Sequence, residues 1–333
     1  MTTSDLLSLI ISHLAQVSFL ILLVACADRI LSHRLPQLVS LLWIAVLIKA
    51  LIPPYWLSDV GFFSWVEAGL RAQFVPEQLG VSSQAVGSSL LGVMLAVWLL
   101  GSLAYALLTT MGWLRIQKQL YFNAKTAPAE VIRCTERLCR RVGIRRIPRV
   151  VVADSLGPFV QGFLRPVICL PSGTVASSSN SELEPVLLHE LVHLRRKDTL
   201  LSILQVIVGC IWWFNPLMRF ANRRLTRAIE FSVDQAVTTK HGCDKKHYAR
   251  SLMRFVDLAA SPTPAFGSGI SPSWITGLRI KRVLQHQRCC YGWIQKCCTY
   301  SGFVAFLFVF LPGKPHQFAG PKCQPAATSE TQE

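Results

Sequence analysis

Three long apolar runs, Leu6 to Ala27, Leu38 to Ile52 and Ser88 to Met111, dominate the N-terminal part of the chain. A helix needs about 20 apolar residues to cross the hydrocarbon core, where only helices and closed barrels satisfy their backbone polar groups. The first and third runs meet that length. The second is short and carries Lys49, whose amine can snorkel towards an interface near Pro53-Pro54. A fourth run, Tyr291 to Leu311, is interrupted by Lys296 but ends in the strongly apolar stretch Phe303 to Leu311. Charged residues make up 16% of the chain, against about 25% in soluble domains, which agrees with a membrane protein. The first run follows Met1-Thr2-Thr3-Ser4-Asp5, with no positive start, and is longer than a signal-peptide core. It is read as a retained helix.

Basic residues set the expected orientation. Arg29 and Arg34 follow the first run, whereas Asp59, Glu67 and Glu77 outnumber Arg71 after the second. The third is followed by a long basic series from Arg115 to Arg149, opposed only by Glu130 and Glu136. Both termini are therefore expected outside, with residues 112–290 in the cytoplasm of a multi-pass inner-membrane protein. The net charge of +16 has a rival explanation in nucleic-acid binding. Much of the excess lies directly behind a span, where anionic headgroups attract it, and no DNA-binding motif accompanies it, so the lipid bilayer is the expected partner.

Leu187-Leu188-His189-Glu190-Leu191-Val192-His193 brings chemistry to this frame. Histidines four apart share one helix face and can reach a single metal ion, while Glu190 can take a proton from a metal-bound water. Catalytic zinc usually takes three protein ligands, and Glu230, in the helical Glu230-Phe231-Ser232-Val233-Asp234, is the candidate third. Asp234, one turn on, is expected to hydrogen-bond a ligand histidine and set its tautomer. The plain alternative for Glu230 is a surface carboxylate beside Arg223, Arg224 and Arg227. That for the histidines is a pair of satisfied polar residues on a buried helix. The intact motif and the scarcity of acidic residues favour the zinc (Zn2+) site. Arg196 and Asp198 are expected just outside the ligands.

The run Leu200 to Phe214 lies between His193 and Glu230, so both its ends must lie on one side of the membrane if these residues share a metal. Its flanks, Arg195-Arg196-Lys197 and Arg219, Arg223 and Arg224, agree with a helix that dips into the bilayer or lies against the other spans. Should the run cross instead, Asp198 is the nearest substitute ligand. Upstream, residues 128–147 read as an amphipathic helix stopped by Gly143, and Arg149 to Val152 and Pro166 to Pro171 as short strands joined by a turn-rich Gly157 to Gly162. Ser181-Glu182-Leu183-Glu184-Pro185 reads as the first turn of the motif helix. Eleven cysteines, including Cys289-Cys290 and Cys297-Cys298, lack structural-zinc spacing and read as packing residues with reduced thiols. Residues 313–333 are expected to be disordered and external.

The ordered set Pro158, Gly162, Arg165-Pro166, Leu170-Pro171, His189-Glu190-x-x-His193-x-x-Arg196-x-Asp198, Trp213-x-Asn215-Pro216 and Glu230-x-x-x-Asp234 resembles the membrane-bound M56 peptidases, the β-lactam-sensing antirepressor family. Tyr248-Ala249-x-x-Leu252 and Arg279-Ile280 resemble its later helices. The resemblance implies His189, His193 and Glu230 as zinc ligands, Glu190 as catalytic base, and a DNA-binding repressor as the protein substrate. It implies a mainly α membrane protein of about four spans with a cytoplasmic, membrane-associated α+β zinc peptidase domain of gluzincin type. Four segments are expected: a three-helix membrane region over 1–111 with an external loop at 53–87, a peptidase domain over 112–290, a fourth span over 291–312, and the tail. Only residues 313–333 follow that span, so no external penicillin-binding domain is expected here. A membrane-protein quality-control peptidase and a non-catalytic transducer remain alternatives, and a homodimer is one open assembly.

Overall fold

A computed structural model describes residues 3–32, 35–52, 84–153, 157–162, 165–258, 273–285 and 301. Helices α1 (Thr3–Leu31) and α3 (Gln84–Asn123) are long and apolar enough to cross a membrane. Between them, α2 (Pro36–Leu51) opens on a proline, tolerated where the first turn has no use for an amide. At 16 residues it is shorter than the about 20 needed to cross a bilayer, and Trp43, Val46 and Leu47 are fully buried inside the protein. It packs against α1 and the later helix α8 (Pro216–Gln235). The expected fourth span (apart from Ser301), residues 53–83 of the expected external loop, the tail and the paired cysteines lie outside the described residues.

Helix α3 does not stop at Met111 but runs to Asn123. No glycine or proline interrupts residues 113–127, and its last turns carry Ile116 and Leu120 onto one face of a small sheet. That sheet contains β1 (Lys125–Thr126), β2 (Arg149–Ala153), β3 (Phe159–Gln161) and β4 (Val167–Pro171), in the order β1-β2-β4-β3. β2 and β4 are the two expected strands and pair in parallel, while β1 and β3 pair antiparallel to them. The segment read as a turn holds β3 instead, with Phe159, Val160 and Gln161 opposite Cys169, Ile168 and Val167. Three residues are too few to show alternation. Gly162 then turns the chain with φ +86°, where an added Cβ would meet the Arg165 carbonyl oxygen at 2.7 Å. Alternate residues divide the sheet: Val151, Ala153, Phe159 and Cys169 face Ile116, and Val150, Val160, Ile168 and Leu170 face the main core.

The main core is built on α4 (Ala129–Val142), α6 (Asn180–Arg196) and α8. α4 is the expected amphipathic helix, closed by left-handed Gly143. After the short α5 (Ser172–Ser177), α6 carries the motif. The Leu200 to Phe214 run forms α7 (Asp198–Ile211), which turns back through Asn215-Pro216 into α8. Asn215 Oδ1 caps α8 by accepting from the Leu217 and Met218 amides at 2.9 and 3.4 Å. α7 docks on α3 through Gly101 and Gly209, whose added Cβ atoms would strike Trp213 and Tyr105. Trp98 Nε1 donates to the Ile211 carbonyl and Trp213 Nε1 to the Trp98 carbonyl. A single π-helical turn, Ala236–Lys240, leads to α9 (Lys245–Leu258), and α10 (Ser273–Gln285) is the last described helix. Cys26, Cys134, Cys139, Cys169, Cys210 and Cys243 are unbridged thiols.

Candidate metal centre

The motif helix starts at Asn180, one residue before the expected Ser181, with Glu182 in its first turn. Ser179 is its N-cap, in a capping box with Glu182, whose carboxylate accepts from the Ser179 amide at 3.0 Å. Pro185 consequently lies inside the helix rather than in its first turn. Having no amide, it leaves the Ser181 carbonyl without its helical donor, and His247 Nε2 takes that place at 2.8 Å. One and two turns further, His189 and His193 emerge on one face, both buried.

His193 and His189 bring their Nε2 atoms to 3.1 Å. Glu230 Oε2 is 3.5 Å from His189 Nε2, and its Oε1 is 3.6 Å from His193 Nε2. These three residues form a buried triad able to hold one metal ion. Tetrahedral zinc with bonds of about 2.0–2.1 Å separates its donors by about 3.3 Å, so this triangle fits. The outer nitrogens agree. His193 Nδ1 donates to Asp198 Oδ2 at 2.8 Å. His189 Nδ1 meets Tyr248 Oη at 2.8 Å, and that hydroxyl spends its own proton on Asp234 Oδ1 at 2.5 Å. Both rings thus direct an Nε2 lone pair at the same point, an arrangement suited to a cation.

Asp198 reaches His193 because the helix breaks between them. Lys197 takes a left-handed conformation, φ 60°, ending α6 and starting α7. In an unbroken helix a residue five positions on would lie on another face. Arg196 stands behind this pair, with Nε 3.3 Å from Asp198 Oδ1 and Nη1 donating to Ser232 Oγ at 2.6 Å. Asp234 stands against His189 as expected, its Oδ1 3.4 Å from Nδ1, and the Tyr248 hydroxyl adds a shorter bridge between the two.

Two site residues were not assigned from sequence, Tyr248 on α9 and Arg279 on α10. Arg279 grips Asp234 with two bonds, Nε to Oδ2 at 2.9 Å and Nη2 to Oδ1 at 2.7 Å, and places Nη1 2.9 Å from Glu230 Oε2. Its Nη2 is nearly equidistant from both His189 ring nitrogens, at 3.4 and 3.2 Å, and therefore lies against the ring rather than on either lone pair. Burial, the largest influence, would raise the Glu230 carboxyl, but the Arg279 charge together with His189 and His193 outweighs it and holds Glu230 at about 2. Asp234 is likewise held well below the carboxylate range. Burial and Arg279 push His189 down, yet Asp234 and Glu230 carry it upward overall, so the site favours positive charge there. Glu190 differs. Burial pushes it up to about 8, and its Oε2 is buried with no hydrogen-bond partner among the described residues.

Residues 6–271 match the family model described as BlaR1 peptidase M56. The chain belongs to the M56 peptidase family. Among its M56 relatives, the regulatory protein BlaR1 of Bacillus licheniformis is 30% identical over 169 residues, 49% of this chain and 27% of the relative. The methicillin resistance mecR1 protein of Staphylococcus aureus is 23% identical over 264 residues, 71% of this chain and 43% of the relative. The chain thus spans less than half the length of these two relatives. Tyr248 lies inside the matched M56 region and Arg279 beyond it.

Proposed function

We propose that this protein is a membrane-seated, zinc-dependent endopeptidase that cleaves a cytoplasmic regulatory protein, with a DNA-binding transcriptional repressor as substrate. The observation that carries the reading is the buried donor triangle of His189, His193 and Glu230 with Glu190 beside it. When bound there, zinc would supply Lewis acidity to a scissile carbonyl and lower the pKa of a water. Glu190 senses the charges of His193, Glu230 and Arg279, and its unpartnered Oε2 is free to accept a proton from the attacking water and return it to the leaving amine. Asp198 and Tyr248 hold the two imidazoles in the tautomer that leaves Nε2 open. Arg279 keeps Glu230 anionic. A purely structural site would have no use for Glu190.

Strand β3 is the sheet edge and packs against α6, which suits an extended substrate added as a further strand beside the histidines. The names of the relatives, a regulatory and a resistance protein, favour signalling over general protein turnover. α1 and α3 serve as spans in this reading, with the expected fourth span beyond them. α7 dips into the bilayer with Leu200, Ile203 and Ile207, and Phe214 just beyond it, exposed to lipid. Its two ends lie on one side, in accord with the meeting of His193 and Glu230, and the flanking arginines make that side cytoplasmic.

The test is Glu190→Gln, which removes the base and no ligand. Purified from membranes, it should keep parental zinc content and lose cleavage of a candidate repressor. Equal cleavage by variant and parent refutes the mechanism, and a parent that holds no zinc refutes the metal assignment.

A further inference from the structure

Asp28 is a buried carboxylate near the end of the largely apolar α1, 2% exposed, and the zinc chemistry proposed above does not use it. Acids at such positions are costly and are retained with partners. Its ion-pair partners come from α8: Arg227 Nη2 at 3.2 Å and Arg224 Nη1 at 3.4 Å. Arg224 also lies over the Phe220 ring, and Arg227 over Phe231. Phe220, Arg224, Arg227 and Phe231 recur at helical spacing, so one stripe of α8 faces the end of α1. Glu230 and Asp234 occupy the neighbouring stripe of the same helix, within two turns of Arg227.

A second connection runs through α10. Arg282 hydrogen-bonds the Ser32 carbonyl just beyond α1 and stacks over Phe231 at 4.4 Å. Three residues earlier, on the same helix, Arg279 grips Asp234 and Glu230. The inner end of α1 is therefore tied to the two elements that supply the third donor and its counter-cation. Among the described residues, α1 itself contributes no donor to the triad.

We infer that Asp28 is a positioning residue for the metal centre: through Arg224, Arg227 and Arg282, the first membrane helix sets where Glu230 and Arg279 stand, so that displacing α1 loosens the site. This rests on the zinc reading above. The test measures zinc affinity by competition with a chelating dye, on the full chain in detergent. Asp28→Asn should weaken zinc binding about tenfold, the lower range for residues that orient metal ligands, and Asp28→Glu should restore most of it. Ile116→Ala, which thins the packing of α3 on the sheet away from this link, should lower the melting temperature with zinc affinity unchanged. If Asp28→Asn does not fold, Arg224→Gln and Arg227→Gln serve, each leaving one arginine on Asp28 and weakening zinc binding by less than the roughly tenfold of Asp28→Asn. Parental affinity in every folded variant overturns the inference while leaving the zinc reading intact. A parent without zinc overturns both.

Discussion

Arg279→Gln tests the electrostatic design of the centre most directly. The substitution removes three charge-assisted bonds of 2.7 to 2.9 Å and leaves the Glu230 and Asp234 carboxylates buried without their cation. Breaking a buried ion pair by deleting one partner costs about 3–5 kcal/mol. At about 2 °C per kcal/mol, the lower end of the range for large domains, the metal-free melting temperature should fall by roughly 6–10 °C at pH 7. The pH dependence carries a sign. Glu230 is held at about 2 in the folded protein against its ordinary 4.5, so its contribution is complete above pH 4.5 and lost as the pH falls towards 2. The gap between parent and variant should therefore be wide at pH 7 and narrow over that acid range. Zinc should also narrow it, since the ion itself balances Glu230, although the variant will need more metal because Glu230 must first release a proton. Arg279→Lys should be intermediate, since an ammonium cannot bridge both carboxylates as the guanidinium fork does. Differential scanning fluorimetry in detergent, with and without chelator from pH 3 to 8, makes the measurement. Equal metal-free melting temperatures at pH 7, or a gap that does not change on acidification, would refute the reasoning.

Glu190 gives the opposite pH behaviour. Its folded value of about 8 lies above the ordinary 4.5, so it destabilises the metal-free fold increasingly as the pH rises from 4.5 through 8. Glu190→Gln should then melt higher than the chelated parent at pH 8, with the advantage vanishing near pH 4, and a constant offset would contradict the assignment. Tyr248→Phe removes the hydroxyl between His189 and Asp234 and should weaken zinc binding by about tenfold with the fold retained; unchanged affinity in a dye competition would remove Tyr248 from the site. Gly209→Leu drives a side chain into Tyr105 and should detach α3 from α7, read as a lower melting temperature and faster proteolysis near residues 98–113. Parental protection there would count against this packing.

The features legible in the sequence are those that neighbouring residues determine. Helical spacing puts His189 and His193 on one face, Gly143 ends α4, and Asn215-Pro216 starts α8, because each depends on contacts within a turn or two. Glu230 could be singled out because acids are scarce, 18 in a chain with 34 lysines and arginines. That same excess of positive charge hid Arg279, one arginine among many. Its bond to Asp234 spans 45 residues and its contact with His189 spans 90, and Tyr248 reaches His189 across 59. Such meetings depend on how α6, α8, α9 and α10 cross, which no local pattern encodes. The tie from Asp28 to Arg227 spans 199 residues. Strands β1 and β3 escaped notice because two and three residues carry no period, and only pairing with β2 and β4 makes them strands. Helical spacing likewise gives the face on which Asp234 meets His189, while the Tyr248 hydroxyl that bridges them comes from another helix.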